Sequence, residues 1–207
     1  YLFIFYWGSI MKTLTYVSTK DVNNLIWPAT TEDINIYSSA LSVFTDFTTA
    51  GPRVIESSTR ADELVQLMKK EHVRMKIVVD TDNHFIGVIS LDDLSEDVFI
   101  KQIANGFKRS ELMVADLMRA KEELLALSYT SLKNSDIESL LFSQRHNLLQ
   151  HLLVIDEDTK AIRGVISSND VVRQLRLDVD VAFSSFAYTY QSAILGHKDH
   201  AKKLKVA

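Results

Sequence analysis

Cysteine is absent from the 207-residue chain. Disulfides, thiolate zinc sites and cysteine nucleophiles are excluded together, and a reducing, cytoplasmic setting is expected. No apolar stretch approaches the roughly 20 residues that a membrane-spanning helix needs. The opening run "YLFIFYW" is short, and no basic segment precedes it, so it reads neither as a span nor as a secretory leader. Residues 1–10 are expected to be non-native or to precede a true start at Met11. Basic excess is missing too: the net charge is −4, which argues against a broad electrostatic grip on nucleic acid. There is no Gly-rich phosphate loop, no H-E-x-x-H and no G-x-S-x-G. No nucleophile and base can be assembled from the sequence. An enzyme is therefore not expected, and no catalytic or metal-ligating residue is named. His197 and His200, in "HKDH", read as part of a solvated tail.

What the chain does contain is a repeat. It has "GVISLDD" at Gly87–Asp93 and "GVISSND" at Gly164–Asp170. Two copies of such a stretch point to a duplicated unit. The upstream sequences correspond as well. With Asp80 set against Asp156, Leu64 falls on Leu140, Val65 on Leu141 and Val73 on Leu149. Leu64, Val65, Leu67 and Met68 recur at helical spacing, as do Ile137, Leu140 and Leu141. Lys76–Val79 and Leu152–Ile155 suit short buried strands. "DTDN" and "DEDTK" are turn clusters, and Gly87–Ile89 and Gly164–Ile166 read as returning strands. Ser90 and Ser167 are then expected to open helices. A unit of this size cannot bury both faces of its sheet, so the two copies are expected to pack together. "VADLMRA" at Val114–Ala120 precedes the second unit, and "VNNLIWP" at Val22–Pro28 is its distant echo before the first.

The ordered set of "VADLM", a helix, a strand ending in aspartate and G-V-I-S-x-x-D, with its core present twice, resembles the cystathionine-β-synthase (CBS) domain. In tandem it resembles a Bateman module, over about Val22–Leu175. The resemblance implies a mixed α/β fold of two pseudo-symmetric β-α-β-β-α units. It implies clefts between the units that hold adenosine-containing ligands, of the AMP, ADP, ATP or S-adenosylmethionine type, with no required cofactor. It also implies pairing into a flat homodimer. The chain departs from the pattern in places. Ile77 and Leu153 stand where a strand proline is usual. Met118 is followed by Arg119 and Ala120 rather than by Thr-x-Pro, and "SYTSLKNSD" is polar where an apolar strand is expected. These departures bear on adenine recognition, because the purine rests against those segments.

On this resemblance Ser167 donates to a phosphate oxygen, Asp170 accepts both hydroxyls of one ribose, and Gly164 lets the backbone approach beneath the ligand. Leu153 and Val154 complete that set. Gly87, Ser90, Asp93, Ile77 and Val78 are its counterparts in the first unit. The local sequence leaves a second reading open, since serine followed by an acid three residues later is also a capping box. Charge separates the two copies. Asp92, Asp93, Glu96 and Asp97 crowd the first and repel phosphate, whereas the second has Asp170 alone with Arg173 close behind. Arg74, Lys76, Lys160, Arg163 and Arg173 are the basic side chains within sequence reach of an anion. His151 lies where the family sometimes places a basic group.

The expected division is 11–53 as a lead-in, 54–97 as the first CBS unit, 98–113 as a helical connector, 114–177 as the second unit and 178–207 as a C-terminal helix and tail. Ile36–Pro52 is expected to hold a short helix, and Val179–Leu195 a terminal helix covering the sheet or a dimer seam, with a partner-binding helix as the alternative. The function expected is regulatory and non-catalytic, with an adenosyl ligand, a second copy of the chain and an unidentified protein as partners, and with neither nucleic acid nor membrane. A ligand-free interaction module that dimerises and docks a partner is the alternative.

Overall fold

The computed structural model describes residues 16, 18–20, 34–177 and 185–194. The chain divides into Tyr1–Asp33 and Ile34–Ala207, and the described strands, helices and clefts belong to the second of these. The expectations for residues 1–10, for Val22–Pro28 and for His197 and His200 lie outside the described residues.

The first half runs β1 (Phe44–Asp46), β2 (Val54–Glu56), α1 (Ala61–Glu71), β3 (Met75–Val79), β4 (Phe85–Ser90) and α2 (Glu96–Ala104). The second runs α3 (Val114–Leu117), β5 (Arg119–Ala120), β6 (Ala126–Ser128), α4 (Tyr129–Lys133), α5 (Ile137–Ser143), β7 (His151–Asp156), β8 (Ala161–Ser167) and α6 (Ser168–Gln174). A further helix, α7, covers 186–194. Helix α1 forms because Ala61, Leu64 and Met68 recur on one buried face. Asp62 and Glu63 suit its positive end, and Lys69 and Lys70 its negative end. Helix α5 is capped by Asp136, whose carboxylate accepts from the Ser139 N–H at 2.7 Å.

Two four-stranded sheets result, ordered β2-β3-β4-β5 and β1-β8-β7-β6. In each, a parallel pair (β2 with β3, β6 with β7) is followed by an antiparallel hairpin. The strands alternate as the pleat requires. Val78 and Ile89 face one helical core, and Leu152, Val154 and Ile166 face the other. Ile77, Val79, Val88 and Leu153 form a third apolar layer.

Each sheet is completed by a strand from in front of the other unit. β5, ahead of the second unit, pairs with β4, and β1, ahead of the first, pairs with β8. The exchange explains the two repeated glycines. A Cβ on Gly87 would sit 2.3 Å from the Arg119 carbonyl oxygen, and one on Gly164 would sit 2.2 Å from that of Thr45. Their role is close approach of these edge strands. Arg163 fastens β1 from β8, donating from Nε and Nη2 to the two carboxylate oxygens of Asp46, each at 3.0 Å. That guanidinium, aided by Thr48, lowers the pKa of the Asp46 carboxyl to about 2.

The structural counterpart of Val114–Ala120 is Ala40–Asp46, a short 3-10 turn followed by β1. Matched bridges confirm the relation, with Ser39 against Asp136 and Arg60 against Met113. Three local expectations need correction. Ser90 opens a turn, because the Asp93 carboxylate folds back onto the Ser90 N–H at 2.8 Å and hydroxyl at 2.6 Å, and α2 starts only at Glu96. The connector's helix ends at Ala104, with Gly106 at φ +95° just beyond. The polar "SYTSLKNSD" gives only the last residue of β6 and then α4, whose N-terminus Ser128 caps by accepting from the Ser131 N–H at 3.0 Å. The described part of the C-terminal segment is helical and covers the second unit, with Phe186 and Thr189 fully buried.

Candidate functional site

Two clefts open beside the layer of Ile77, Val88 and Leu153. The larger, of about 790 Å³, is built from both halves of the repeat. Strand β8 and helix α6 bring Ser167, Asp170 and Arg173. The strand exchange brings Thr45 and, just past β1, Phe47. The loop into β2 brings Pro52 and Arg53, and the α1–β3 junction brings Arg74, Met75 and Ile77. Among the described residues its lining holds three arginines, Arg53, Arg74 and Arg173, against one carboxylate, Asp170. Ser167 makes no capping bond. Asp170 pairs with Arg173, one turn further along its own helix and largely exposed, a kind of ion pair that contributes little and separates readily.

The smaller cleft, of about 610 Å³, is lined by Val88, Leu124, Leu127, Leu149 and Leu153, with Gln144, Asn147, Arg119 and Glu123 as polar groups. Beside it lies a recess holding Ser90, Asp92, Asp93 and Gln150. Here the Ser-x-x-Asp motif is closed. Besides the two bonds from Ser90, Asp93 lies 3.5 Å from Nε of Arg119, delivered by β5. In the first unit serine and acid bind each other, as the capping reading has it, but they close a turn ahead of α2 rather than a helix start.

His151, half-buried at the head of β7, lines both clefts. Burial, with help from the Arg74 and Arg119 charges and against the pull of Asp170, lowers its pKa to about 4. It is a neutral wall residue at neutral pH. Across the same divide Arg74 donates from Nε to Oε1 of Gln150 at 3.1 Å, linking equivalent positions of the two units.

A pH effect follows from His151. Its ordinary pKa is 6.5, so as pH falls from there toward 4 the unfolded chain takes up a proton that the folded chain does not. Stability is complete above 6.5 and is lost through that window, by up to about 3 kcal/mol from this group. Urea unfolding at pH 7 and 4.5 measures it. A His151→Gln variant should show a smaller loss between the two, and an equal loss in both proteins would remove His151 as the cause.

Of the residues expected from sequence, Ser167, Asp170 and Ile77 line the larger cleft, Leu153 the smaller, and Ser90 and Asp93 the recess. Val78 and Val154 line neither cleft, being wholly buried on the helical faces of their sheets. Gly87 and Gly164 lie against β5 and β1, and neither is among the residues lining the clefts. Of the basic candidates, Arg74 and Arg173 reach the larger cleft. Lys76 is buried against Glu71 at 2.8 Å, and Arg163 is engaged with Asp46. Sequence reasoning missed Thr45, Phe47 and Arg53, for which the Gly51-Pro52 turn was the available signal. Asp80, Asp82 and His84 gather in the first hairpin turn, where the Asp80 carboxylate accepts from the backbone N–H of both Asp82 and His84.

Paired sheets with exchanged edge strands, a Ser-x-x-Asp at the end of each hairpin and a cleft beside each motif define a duplicated α/β fold. The family model of the CBS domain matches residues 44–99, and the second half repeats its elements in order. The chain therefore carries a CBS-domain match in its first half and has the paired fold of the solved structures it resembles. An uncharacterized conserved protein from Pyrococcus horikoshii shares that fold, at 17% identity and a TM-score of 0.52, over 71% of this chain and 98% of that one. A conserved CBS domain protein of unknown function from Thermoplasma acidophilum is 18% identical over 75% of this chain and 77% of its own, with a TM-score of 0.47. CBSX2 in complex with AMP is 22% identical over 66% and 94%, with a TM-score of 0.47. None of the curated proteins compared with the chain matches it. No helix among the described residues is long and apolar enough to cross a membrane.

Proposed function

We propose that this chain is a regulatory, non-catalytic module that takes an adenosine-containing ligand carrying phosphate in the larger cleft. The observation that carries the reading is the make-up of that cleft. An uncapped Ser167 hydroxyl and one carboxylate, Asp170, stand among Arg53, Arg74 and Arg173. A carboxylate with two acceptor oxygens suits a ribose diol once its exposed partner Arg173 turns away, and guanidinium groups suit phosphate. Ile77, Val165 and Phe47 offer apolar surface for a base. The charge balance favours AMP, ADP or ATP over the cationic S-adenosylmethionine. The resemblance to CBS pairs implies such a ligand between the units, and its occupancy there would be passed to a second copy of the chain or to another protein.

Calorimetric titration with AMP, ADP, ATP, adenosine and S-adenosylmethionine tests the reading. The phosphorylated compounds should bind at least about tenfold more tightly than adenosine, since one guanidinium–phosphate contact contributes about 1.5–3 kcal/mol. Absence of binding by all five would leave the ligand-free interaction module as the better reading, which the closed Ser90–Asp93 motif favours for the first unit.

A further inference from the structure

The two clefts are related by the repeat, yet the residues that β1 and β5 deliver to them differ. Thr45 pairs with Val165 of β8, and Arg119 pairs with Val88 of β4, so the two occupy equivalent places. Thr45 is small and uncharged. Arg119 brings a cation to the one carboxylate that a ribose would need, and Oδ2 of Asp93 already accepts from the Ser90 N–H and hydroxyl. The Nε of Arg119 is buried and has no hydrogen-bond partner, lying 3.5 Å from that oxygen. The Asp93–Arg119 pair is also more enclosed than Asp170–Arg173: the arginine side chain is 29% exposed in the first and 69% in the second.

Resting on the reading of the larger cleft, we infer that Arg119 is a specificity-determining residue that closes the first-unit Ser-x-x-Asp motif to nucleosides, so that each chain takes a single adenine nucleotide. The arginine acts as a built-in occupant. It neutralises Asp93 and fills the space that Thr45 leaves open at the equivalent place. The neighbouring acids, Asp92 in the recess and Glu123 in the smaller cleft beside it, make this place unfavourable to phosphate once the arginine is engaged.

The experiment is AMP titration calorimetry on the full chain and three variants. The native chain should bind one AMP, Asp93→Ala should still bind one with affinity changed less than threefold, and Asp170→Ala should bind none. Arg119→Thr, which installs the residue found at the equivalent place, should raise the stoichiometry to two. A native stoichiometry of two, with one equivalent lost in Asp93→Ala, overturns the inference and leaves the proposed function standing. So does an Arg119→Thr chain that keeps its native circular dichroism and still binds one. If Arg119→Thr does not fold, the native and Asp93→Ala stoichiometries decide alone. Absence of AMP binding by the native chain overturns the proposed function and the inference together.

Discussion

Asp170→Ala is expected to weaken AMP binding at least about 100-fold. Two charge-assisted hydrogen bonds to a ribose, each contributing about 1.5–3 kcal/mol, set that scale. The substitution also removes the one carboxylate found among the described residues of a cleft lined by Arg53, Arg74 and Arg173. If phosphate attraction were the whole of recognition, affinity would rise. A fall therefore separates recognition of the diol from recognition of the phosphate. The fold should tolerate the change, because the ion-pair partner of Asp170 is the exposed Arg173 and such pairs contribute less than about 1 kcal/mol. Calorimetry well below the melting temperature is the measurement. Affinity within threefold of native would remove Asp170 from the site.

Gly164→Ala is expected to destabilise the protein by about 2–4 kcal/mol, above the middle of the range for over-packed cores. The new methyl would lie 2.2 Å from the Thr45 carbonyl oxygen and 2.5 Å from the Phe44 ring, and backbone cannot step aside as a side-chain end can. Strand β1 has to shift off β8, and Thr45 and Phe47 leave the wall of the larger cleft with it. Melting temperature should fall by about 5–15 °C, and AMP binding should weaken in parallel. Gly51→Ala, with open space around the added carbon, is the control and should melt within about 2 °C of native. Equal melting of all three proteins would show that the edge strand contributes nothing to stability.

The hairpins were legible because short runs of apolar, largely β-branched residues, Lys76–Val79 and Leu152–Ile155, are bounded by aspartate-rich turns, and because the motif recurs. The meaning of Gly87 and Gly164 was not legible. A glycine that admits another strand and one that admits a ligand look alike until the partner is known, and each partner lies far off in the chain. Ser90 and Ser167 share a spacing but not a geometry. The difference lies in the residues after each serine and in what the exchanged strand delivers, Arg119 at one place and Thr45 at the other. Arg53, Thr45 and Phe47 escaped notice because strands of three residues carry too little periodicity to be read.

The exchange of edge strands also sets a timetable for synthesis. Asp46 and its partner Arg163 are 117 residues apart. A ribosome adding roughly 5–20 residues each second leaves β1 without its neighbour for about 6–25 s. During that wait the nascent first half has a complete hairpin in β3 and β4 but an orphaned β1, and until β5 emerges the outer side of β4 is bare. Such a bare strand edge is a template for pairing with other chains. The nascent chain is therefore most exposed to aggregation before its second half emerges, and a truncated product ending ahead of β8 should depend on chaperones in a way that the full-length chain does not.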